Sequence, residues 1–571
     1  MKILLTAVNA KYIHSNLAIY SLRAYAGAYR EQIELAEYTI NHREEYILSE
    51  LYKKKPDVLC FSCYIWNISL IRQVAEEFHQ LCPQVPIWVG GPEVSYEAEA
   101  FLEENPFVTG IMIGEGEKIF ENICACYLLQ QKSLEEIPGI AWRKNGAVCI
   151  NGPEAVLDMS TIPFAYEDMK DFENKIIYYE SSRGCPFRCS YCLSSVDKKL
   201  RFRDIGLVKK ELEFLIEKEV PQVKFVDRTF NCDKEHAMAI WQFIQEKDRG
   251  ITNFHFEIAA DLLTDEEIAF IAGLRPGLIQ LEIGVQTTND ATITEIHRTM
   301  NLSRVEEVVQ KIKKPGNVHQ HLDLIAGLPY EDLTTFAKSF DEIYAWKPQQ
   351  LQLGFLKVLK GSYMHGHTGE YEAVYTSRPP YEVLKTRWLS YEDVLHIKQA
   401  EEMLEVYYNS TQFAVTVRLL ERCFESAFEM YRRIGAYYEE QGYHAMSHSR
   451  NRRLEILLEF AQTVDEAHLP AYQEAAVYDL YSRENAKSRP GFAGDLQEIR
   501  DVTRKYCGRG KLSHVEQFWY LLPFTEEAEY NLVRQEEPYY ILFDYEKRSL
   551  LDHQAAMTRI SWKEAWKEKQ G

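Results

Sequence analysis

The sequence predicts an α/β chain in which two runs of strand–helix alternation precede a mainly helical carboxyl-terminal domain. Three observations predict it. Short apolar runs alternate with helical periodicity from Ile3 to about residue 129. The alternation resumes at Ile176 and brings six strands by Phe355. From about Pro379 the pattern turns helical. A chain of 571 residues is also too long for one core, so about three domains are expected. We place them at 1–135, 171–370 and 371–571, with a hairpin and linker over 136–170.

The first strand covers residues 3–8 and a helix follows over 17–29. Val58-Leu59-Cys60-Phe61-Ser62 is apolar without alternation, as in a strand buried on both faces. A helix over 70–81 leads to Ile87-Trp88-Val89, a strand that ends in Gly90-Gly91-Pro92. The fourth strand, Gly110-Ile111-Met112-Ile113, ends in Gly114-Glu115-Gly116-Glu117 and enters a helix over 118–129. Such alternation makes a parallel, doubly wound sheet. Its ligands sit beyond the carboxyl ends of the strands. The residues there are Asn9 to His14, Ser62 to Tyr64, Gly90 to Glu93 and Gly114 to Glu117. Cys60 and Cys63 diverge on a strand, and Cys124 and Cys126 point apart on a helix, so neither pair reads as a shared metal site.

Lys144-Asn145-Gly146 lies between two strand-like runs, a strong hairpin signal. The turn-rich stretch 152–171 reads as a linker. Beyond it the strands are 176–180, 223–226, 254–258, 278–286, 321–329 and 351–355. Helical stretches such as 207–218 and 334–345 separate them.

Between the first two of these strands stands Ser182-Arg183-Gly184-Cys185-Pro186-Phe187-Arg188-Cys189-Ser190-Tyr191-Cys192. Thiolates at CxxxCxxC spacing are soft ligands for an iron–sulfur cluster or zinc. A structural zinc site would want a fourth ligand, and three cysteines suit a cluster with one open iron. Three is odd, and with no secretory signal a disulfide framework fits poorly. At these residues the chain resembles the radical S-adenosylmethionine superfamily, whose motif has an aromatic residue before the last cysteine, here Tyr191. The resemblance implies a 4Fe–4S cluster on Cys185, Cys189 and Cys192, with S-adenosylmethionine on the open iron. It also implies reductive cleavage of the sulfonium to methionine and a 5′-deoxyadenosyl radical. The six strand–helix units match the superfamily's partial (β/α)6 barrel.

Further strand ends are similar to the same family. Glu282-Ile283-Gly284-Val285-Gln286-Thr287, with Arg298 downstream, looks like its fourth-strand motif, and 323–331 looks like its fifth. On that resemblance Glu257 and Gln286 would hold ribose or the methionyl end, and Ile325 and Gly327 would border the adenine. Asp227-Arg228-Thr229 stands where the family often has GGE, which puts Asp227 at the amino group. The first domain resembles the Rossmann-like cobalamin-binding domain that precedes many of these barrels. Gly90-Gly91 matches its GG element, and Ser62-Cys63-Tyr64 stands at its SxL place. The DxHxxG element is replaced by Asn9-Ala10-Lys11-Tyr12-Ile13-His14. Cobalamin contacts are therefore expected at Asn9, Ser62, Tyr64, Gly90, Gly91, Pro92, Gly114, Glu115 and Gly116, with no histidine beneath cobalt. His14 reads as an ordinary hydrogen-bonded histidine.

In the last third, Ser390-Tyr391-Glu392-Asp393 is a helix start signal. Amphipathic stretches over 413–440 and 453–464 follow, and the tail after Arg489 carries no clear element. This region resembles an uncharacterised extension of one cobalamin-type subfamily. His365 and His367 read as a loop, and His448, Arg450, Arg452 and Arg453 as a solvated face. Cys232 and Tyr191 are the candidates for a catalytic side chain.

A net charge of −21 argues against a nucleic-acid partner. No apolar run approaches a membrane span, and twelve scattered cysteines fit a reducing, cytoplasmic setting. The expected activity is radical methylation, or another modification, of an unactivated carbon in a small molecule or peptide. A donor such as flavodoxin or ferredoxin would supply the electron. The alternatives are a ring-forming or rearranging radical enzyme with a docking first domain, and a non-catalytic iron–sulfur or zinc protein.

Overall fold

A computed structural model of the chain describes residues 1–566, apart from 496, 508–511, 525–527 and 550. The first sheet has seven strands: β1 Ile3–Asn9, β2 Ile33–Thr39, β3 Val58–Ser62, β4 Ile87–Gly90, β5 Gly110–Met112, β6 Ile140–Lys144 and β7 Ala147–Ile150. Their order is β2-β1-β3-β4-β5-β6-β7, with the first five parallel. Every residue of β1 and β3 is buried, because helices cover both faces of the sheet. The sequence reading passes over β2, an edge strand whose two glutamates interrupt its apolar pattern. The Asn145-Gly146 hairpin is more than a connector. It pairs β6 antiparallel to β5 and extends the sheet.

The second sheet begins with β8 Ile177–Tyr179. A short antiparallel pair, β9 Ser182–Arg183 and β10 Arg201–Phe202, closes the neck of the cysteine loop. Then come β11 Gln222–Phe225, β12 Asn253–Ile258, β13 Ile279–Gln286, β14 His319–Ala326 and β15 Gln350–Phe355. The six long strands are all parallel and lie in sequence order, an open partial barrel. Along β13 buried residues alternate with Gln280, Glu282, Gly284 and Gln286. The apolar set meets the helices, and the polar set faces the barrel interior.

A strap follows the barrel, with β16 Val374–Tyr375 paired to β17 Val383–Lys385. The Tyr381 hydroxyl donates to Glu93 of the first domain, and Val383 packs on Gly327 at the end of β14. The helices Tyr391–Leu404, Ala414–Glu421, Ala427–Glu440, Arg450–Asp465 and Leu469–Tyr481 come next. Ser390 and Asp393 cap the first reciprocally, as their spacing predicts. Asn409 bonds both the N–H and the carbonyl of Leu351, at 3.0 and 2.8 Å, and so covers the β15 edge. Beyond Arg489 the tail adds a three-stranded antiparallel sheet, β18 Ser513–Phe518, β19 Tyr539–Arg548 and β20 Ala555–Ser561. It packs on Leu469–Tyr481, where Tyr481 stacks on His514 at 3.9 Å. The aromatic run at the start of β19 is the signal that sequence analysis left unused.

Candidate active site between the first sheet and the barrel

A cavity of about 920 Å³ lies beyond the carboxyl ends of the first sheet. All nine residues predicted to meet cobalamin line it: Asn9, Ser62, Tyr64, Gly90, Gly91, Pro92, Gly114, Glu115 and Gly116. The barrel supplies the opposite wall through Tyr178, Glu180, Arg183, Arg203 and Arg228. Three of the nine have a reason other than a ligand, Gly91 and Asn9 within the first domain and Glu115 through arginines of the barrel. Gly91 has φ +118°, and a Cβ there would overlap the carbonyl oxygen of Cys63, so the turn itself requires glycine. The Asn9 amide is occupied by the His14 carbonyl at 3.1 Å and Glu37 at 3.0 Å. Gly114, by contrast, has φ +88° and open space where a Cβ would stand. Tyr64 stacks on Trp66 at 4.4 Å on the same wall. His14 is hydrogen-bonded as expected, its Nδ1 2.6 Å from the Tyr178 hydroxyl. Burial, with help from Lys11, lowers its pKa.

A second cavity of about 180 Å³ opens on the barrel side. Cys185, Cys189, Cys192 and Tyr191 line it with Thr229, Glu257, Glu282, Arg298 and Asp323. Backbone bonds set the cysteine loop: Cys185 N–H to Asp197 at 3.1 Å, Ser190 N–H to Ile296 at 2.9 Å, and Cys192 N–H to Cys189 at 3.1 Å. Gly184 has φ +95°, and a Cβ would come 2.6 Å from the Lys199 carbonyl. Arg298 donates to the Cys189 sulfur at 3.7 Å, to the Tyr191 hydroxyl at 3.2 Å and to the Gly284 carbonyl. The Thr229 hydroxyl is 3.8 Å from the Cys185 sulfur. Three thiols on one wall, with a guanidinium beside one of them, fit a thiolate-held iron–sulfur cluster. A large cavity rimmed by glycine turns fits a bulky cofactor such as cobalamin.

The polar floor of the barrel is an ion-pair network. Lys224 lies 3.0 Å and His255 2.9 Å from Glu282, and His321 lies 3.0 Å from Asp323. Burial acts to raise Glu282, but His255 and Lys224 outweigh it and hold the carboxyl at about 2. Glu257 lines the cavity, and burial, reinforced by the charge of Glu282, pushes it up to about 7.

Five predicted residues are placed differently. Asp227 lines neither cavity. It is buried, and it accepts from Ser181 N–H at 2.9 Å, Ser181 Oγ at 2.7 Å and Ser182 Oγ at 2.5 Å. Its work is to hold the strand end before the cysteine loop. Gln286 stands at a bulge with φ +75°, outside both cavities, its Oε1 buried without a hydrogen-bond partner among the described residues. Ile325 joins an apolar cluster with Ile296, Leu328 and Tyr191. Gly327 gives way to Val383, whose Cγ1 would lie 2.6 Å from an added Cβ. Cys232 lines neither cavity, and burial pushes its thiol up to about 11, which disfavours a reactive thiolate. Nor do His365 and His367 form a chelate: His365 lies 4.0 Å from Glu97, and His367 stacks on Tyr363.

Sequence reasoning also missed three residues. Arg183 and Arg201 bind Glu115 at 3.3 and 2.6 Å, so that carboxylate is engaged across the domain boundary. Arg228 lines both cavities. Alternate polar positions in the apolar strands were the available signal for the barrel floor; for the arginines only topology brings the partners together.

Residues 3–124 match the B12 binding domain and residues 179–343 the radical SAM superfamily. Residues 369–517 match a family described only as a protein of unknown function, DUF4080. The chain thus carries a radical SAM domain match over the barrel with the cysteine loop, a B12 binding domain match before it and a DUF4080 match after it. It is 26% identical over 305 residues to the cobalamin-dependent radical SAM methyltransferase TokK of Streptomyces tokunonensis. That match covers 49% of this chain and 44% of TokK, so the chain spans less than half of that relative's length. It is 24% identical over 318 residues to the uncharacterized methyltransferase PH0819 of Pyrococcus horikoshii, covering 52% of this chain and 68% of that one. Among solved structures, the cobalamin-dependent S-adenosylmethionine radical enzyme OxsB superposes with a TM-score of 0.61 at 15% identity, over 83% of this chain and 80% of its own. The methyltransferase TsrM from Kitasatospora setae superposes at 0.54 and 16%, over 67% and 80%. At such identities the likeness is one of fold.

Proposed function

We propose that this chain is a cobalamin-dependent radical S-adenosylmethionine enzyme that methylates an unactivated carbon of a small molecule. The observation that carries the reading is adjacency. The cavity bearing Cys185, Cys189 and Cys192 and the glycine-rimmed cavity of the first domain share Arg228 as a common wall. When bound, a 4Fe–4S cluster supplies the electron that cleaves S-adenosylmethionine, and cobalamin supplies a methyl carrier. The chain's own residues do the rest. Cys185, Cys189 and Cys192 hold the cluster, and Arg298 keeps positive charge beside the Cys189 sulfur. Tyr191 is fixed by Arg298 and packs against the same apolar cluster as Ile325, closing one side against water. Glu257, poised near neutrality, is placed to bond a hydroxyl or amine of the bound cofactor. Gly114 lets a ligand approach the backbone of the first domain. The electron would come from a small redox protein such as flavodoxin or ferredoxin.

A second reading is ring formation. It draws on 22% identity over 340 residues to the anaerobic magnesium-protoporphyrin IX monomethyl ester cyclase of Rubrivivax gelatinosus, which covers 57% of this chain and 60% of that one. Anaerobic reconstitution with iron, sulfide, hydroxocobalamin and dithionite tests both. Formation of 5′-deoxyadenosine supports the radical reading, and its absence would refute it. Label from methyl-labelled S-adenosylmethionine enters the product under methyl transfer and stays out of it under ring closure.

A further inference from the structure

Every arginine lining the two cavities has a partner except one. Arg183 binds Glu117 and Glu180, each at 2.8 Å. Arg203 binds Glu211 across a buried pair. Arg298 is held by Cys189, Tyr191 and the Gly284 carbonyl. Arg228 is exposed and has no hydrogen bond or ion pair with a described residue. No lysine lines either cavity among the described residues, so Arg228 is their one free cation.

The local sequence explains the placement. Asp227 turns inward to take the hydroxyls of Ser181 and Ser182. Arg228, in the turn that follows β11, lines both cavities instead. Its charge bears on Tyr64 in the first cavity and on Glu257 in the second. Apart from Glu257, which burial pushes up to about 7 and which makes no ion pair with Arg228, the surrounding carboxylates are already taken. Glu115, Glu117 and Glu180 serve Arg183, Glu211 serves Arg203, Glu282 serves Lys224 and His255, and Asp323 serves His321. The guanidinium is therefore left to a group that comes from outside the chain. Its flat fork of donors matches a carboxylate with two parallel hydrogen bonds.

We propose that Arg228 is the substrate anchor: it holds a carboxylate of a small acidic molecule at the junction of the two cavities. The inference rests on the radical reading above and narrows its substrate class. A carboxylate fixed there sets the rest of the molecule between the cluster side and the first-domain side. That is where a carbon must sit to meet both cofactors.

The test uses the full chain, reconstituted with cluster and cobalamin, and a matched pair of probes, 3-phenylpropionate and the neutral 3-phenylpropanamide. Calorimetry should show the carboxylate binding at least about tenfold tighter than the amide. Arg228→Gln should abolish that preference, and Arg228→Lys should keep part of it. Two controls separate the sources of a carboxylate. Affinity for S-adenosylhomocysteine and uptake of hydroxocobalamin should change less than about twofold in Arg228→Gln. If S-adenosylhomocysteine binding falls alongside the probe, Arg228 holds the methionyl carboxylate and the proposal is overturned. A fall in cobalamin uptake overturns it in favour of a cofactor contact. Equal binding of the two probes to the wild-type chain, or an unchanged preference in Arg228→Gln, overturns it outright. A wild-type chain that builds no cluster and takes up no cobalamin sinks the radical reading instead, while the probe comparison on that sample still decides Arg228.

Discussion

Arg183, two residues before the first cysteine of the CxxxCxxC loop, lies 2.8 Å from a carboxylate oxygen of Glu117 in the other domain. The arginine side chain is 19% exposed and the glutamate 7%, so water screens the pair poorly. Glu180 shares the same guanidinium at 2.8 Å. Burial lowers the pKa of Arg183, but the carboxylates overcome it and raise the net value. The turn that rims the first cavity is thus tied to the strand that leads into the cysteine loop. Truncating the arginine leaves two carboxylates without their cation. Arg183→Met should destabilise the chain by about 3 kcal/mol in urea unfolding. It should also lower both iron and cobalamin retention. A loss below about 1 kcal/mol would mean that the pair behaves as a surface bridge and does not couple the domains.

The cysteines separate by role. Alanine at Cys185, Cys189 or Cys192 should remove most reconstituted iron, because each thiol lines the same cavity. Cys232→Ala should leave iron content and 5′-deoxyadenosine formation within about twofold of the wild type, since that thiol lines neither cavity and is pushed up to about 11. Iron and sulfide analysis of the four variants decides it. A full cluster in the triple-alanine variant would put it on other residues.

Gly91 and His14 make a second contrast. A side chain at Gly91 meets both a left-handed φ and the Cys63 carbonyl. Gly91→Val should cost about 2 kcal/mol or more and abolish cobalamin uptake, through the misshaped turn. His14→Ala removes only the bond to the Tyr178 hydroxyl and should leave uptake nearly intact. Absorption spectra of the bound cofactor report both. A nitrogen-split cobalt(II) resonance lost in His14→Ala would make His14 the axial ligand.

Asp479, 3% exposed, caps the helix Ala414–Glu421 by accepting from Val415 N–H at 3.0 Å and Thr416 N–H at 2.9 Å. Burial dominates those bonds and raises its carboxyl from 3.8 to about 6. A raised folded value means that its favourable contribution is complete below about pH 3.8 and is lost as pH climbs through 6. The shift of about two units corresponds to roughly 3 kcal/mol. Between pH 4 and pH 7, Asp479→Asn should therefore gain about 2–3 kcal/mol of stability in urea unfolding relative to the wild type. An identical pH dependence in both chains would show that Asp479 titrates normally.

β2 and the place of the hairpin in the first sheet could not be read from the chain alone, whereas the residues of the cysteine loop, the strand-end glycines and the parallel alternation of strand and helix could. Each is written in local pattern: CxxxCxxC on a loop, glycine after an apolar run, strand alternating with helix. Glu257 was legible for the same reason, as a polar position in an apolar strand. The errors fall where a residue's role depends on what arrives from elsewhere. Gly327 looks like a ligand-facing glycine until Val383 of the strap, 56 residues on, takes the space. Asp227 looks like a cofactor contact until Ser181 and Ser182 claim its oxygens.

By itself, then, the sequence determined the class of fold, the three-cysteine loop and the rim of the first cavity, because short-range spacing and strand periodicity encode them. Only the tertiary structure decided which charges pair and which one stays free. Arg183, Arg203 and Arg228 are equal as letters. Packing of the first sheet against the barrel brings Glu117 to Arg183, the helix Ile205–Glu217 brings Glu211 to Arg203, and nothing among the described residues reaches Arg228. A buried guanidinium needs an anion to offset its lost hydration, and the chain supplies one to Arg183 and Arg203, while Arg228 stays exposed to solvent.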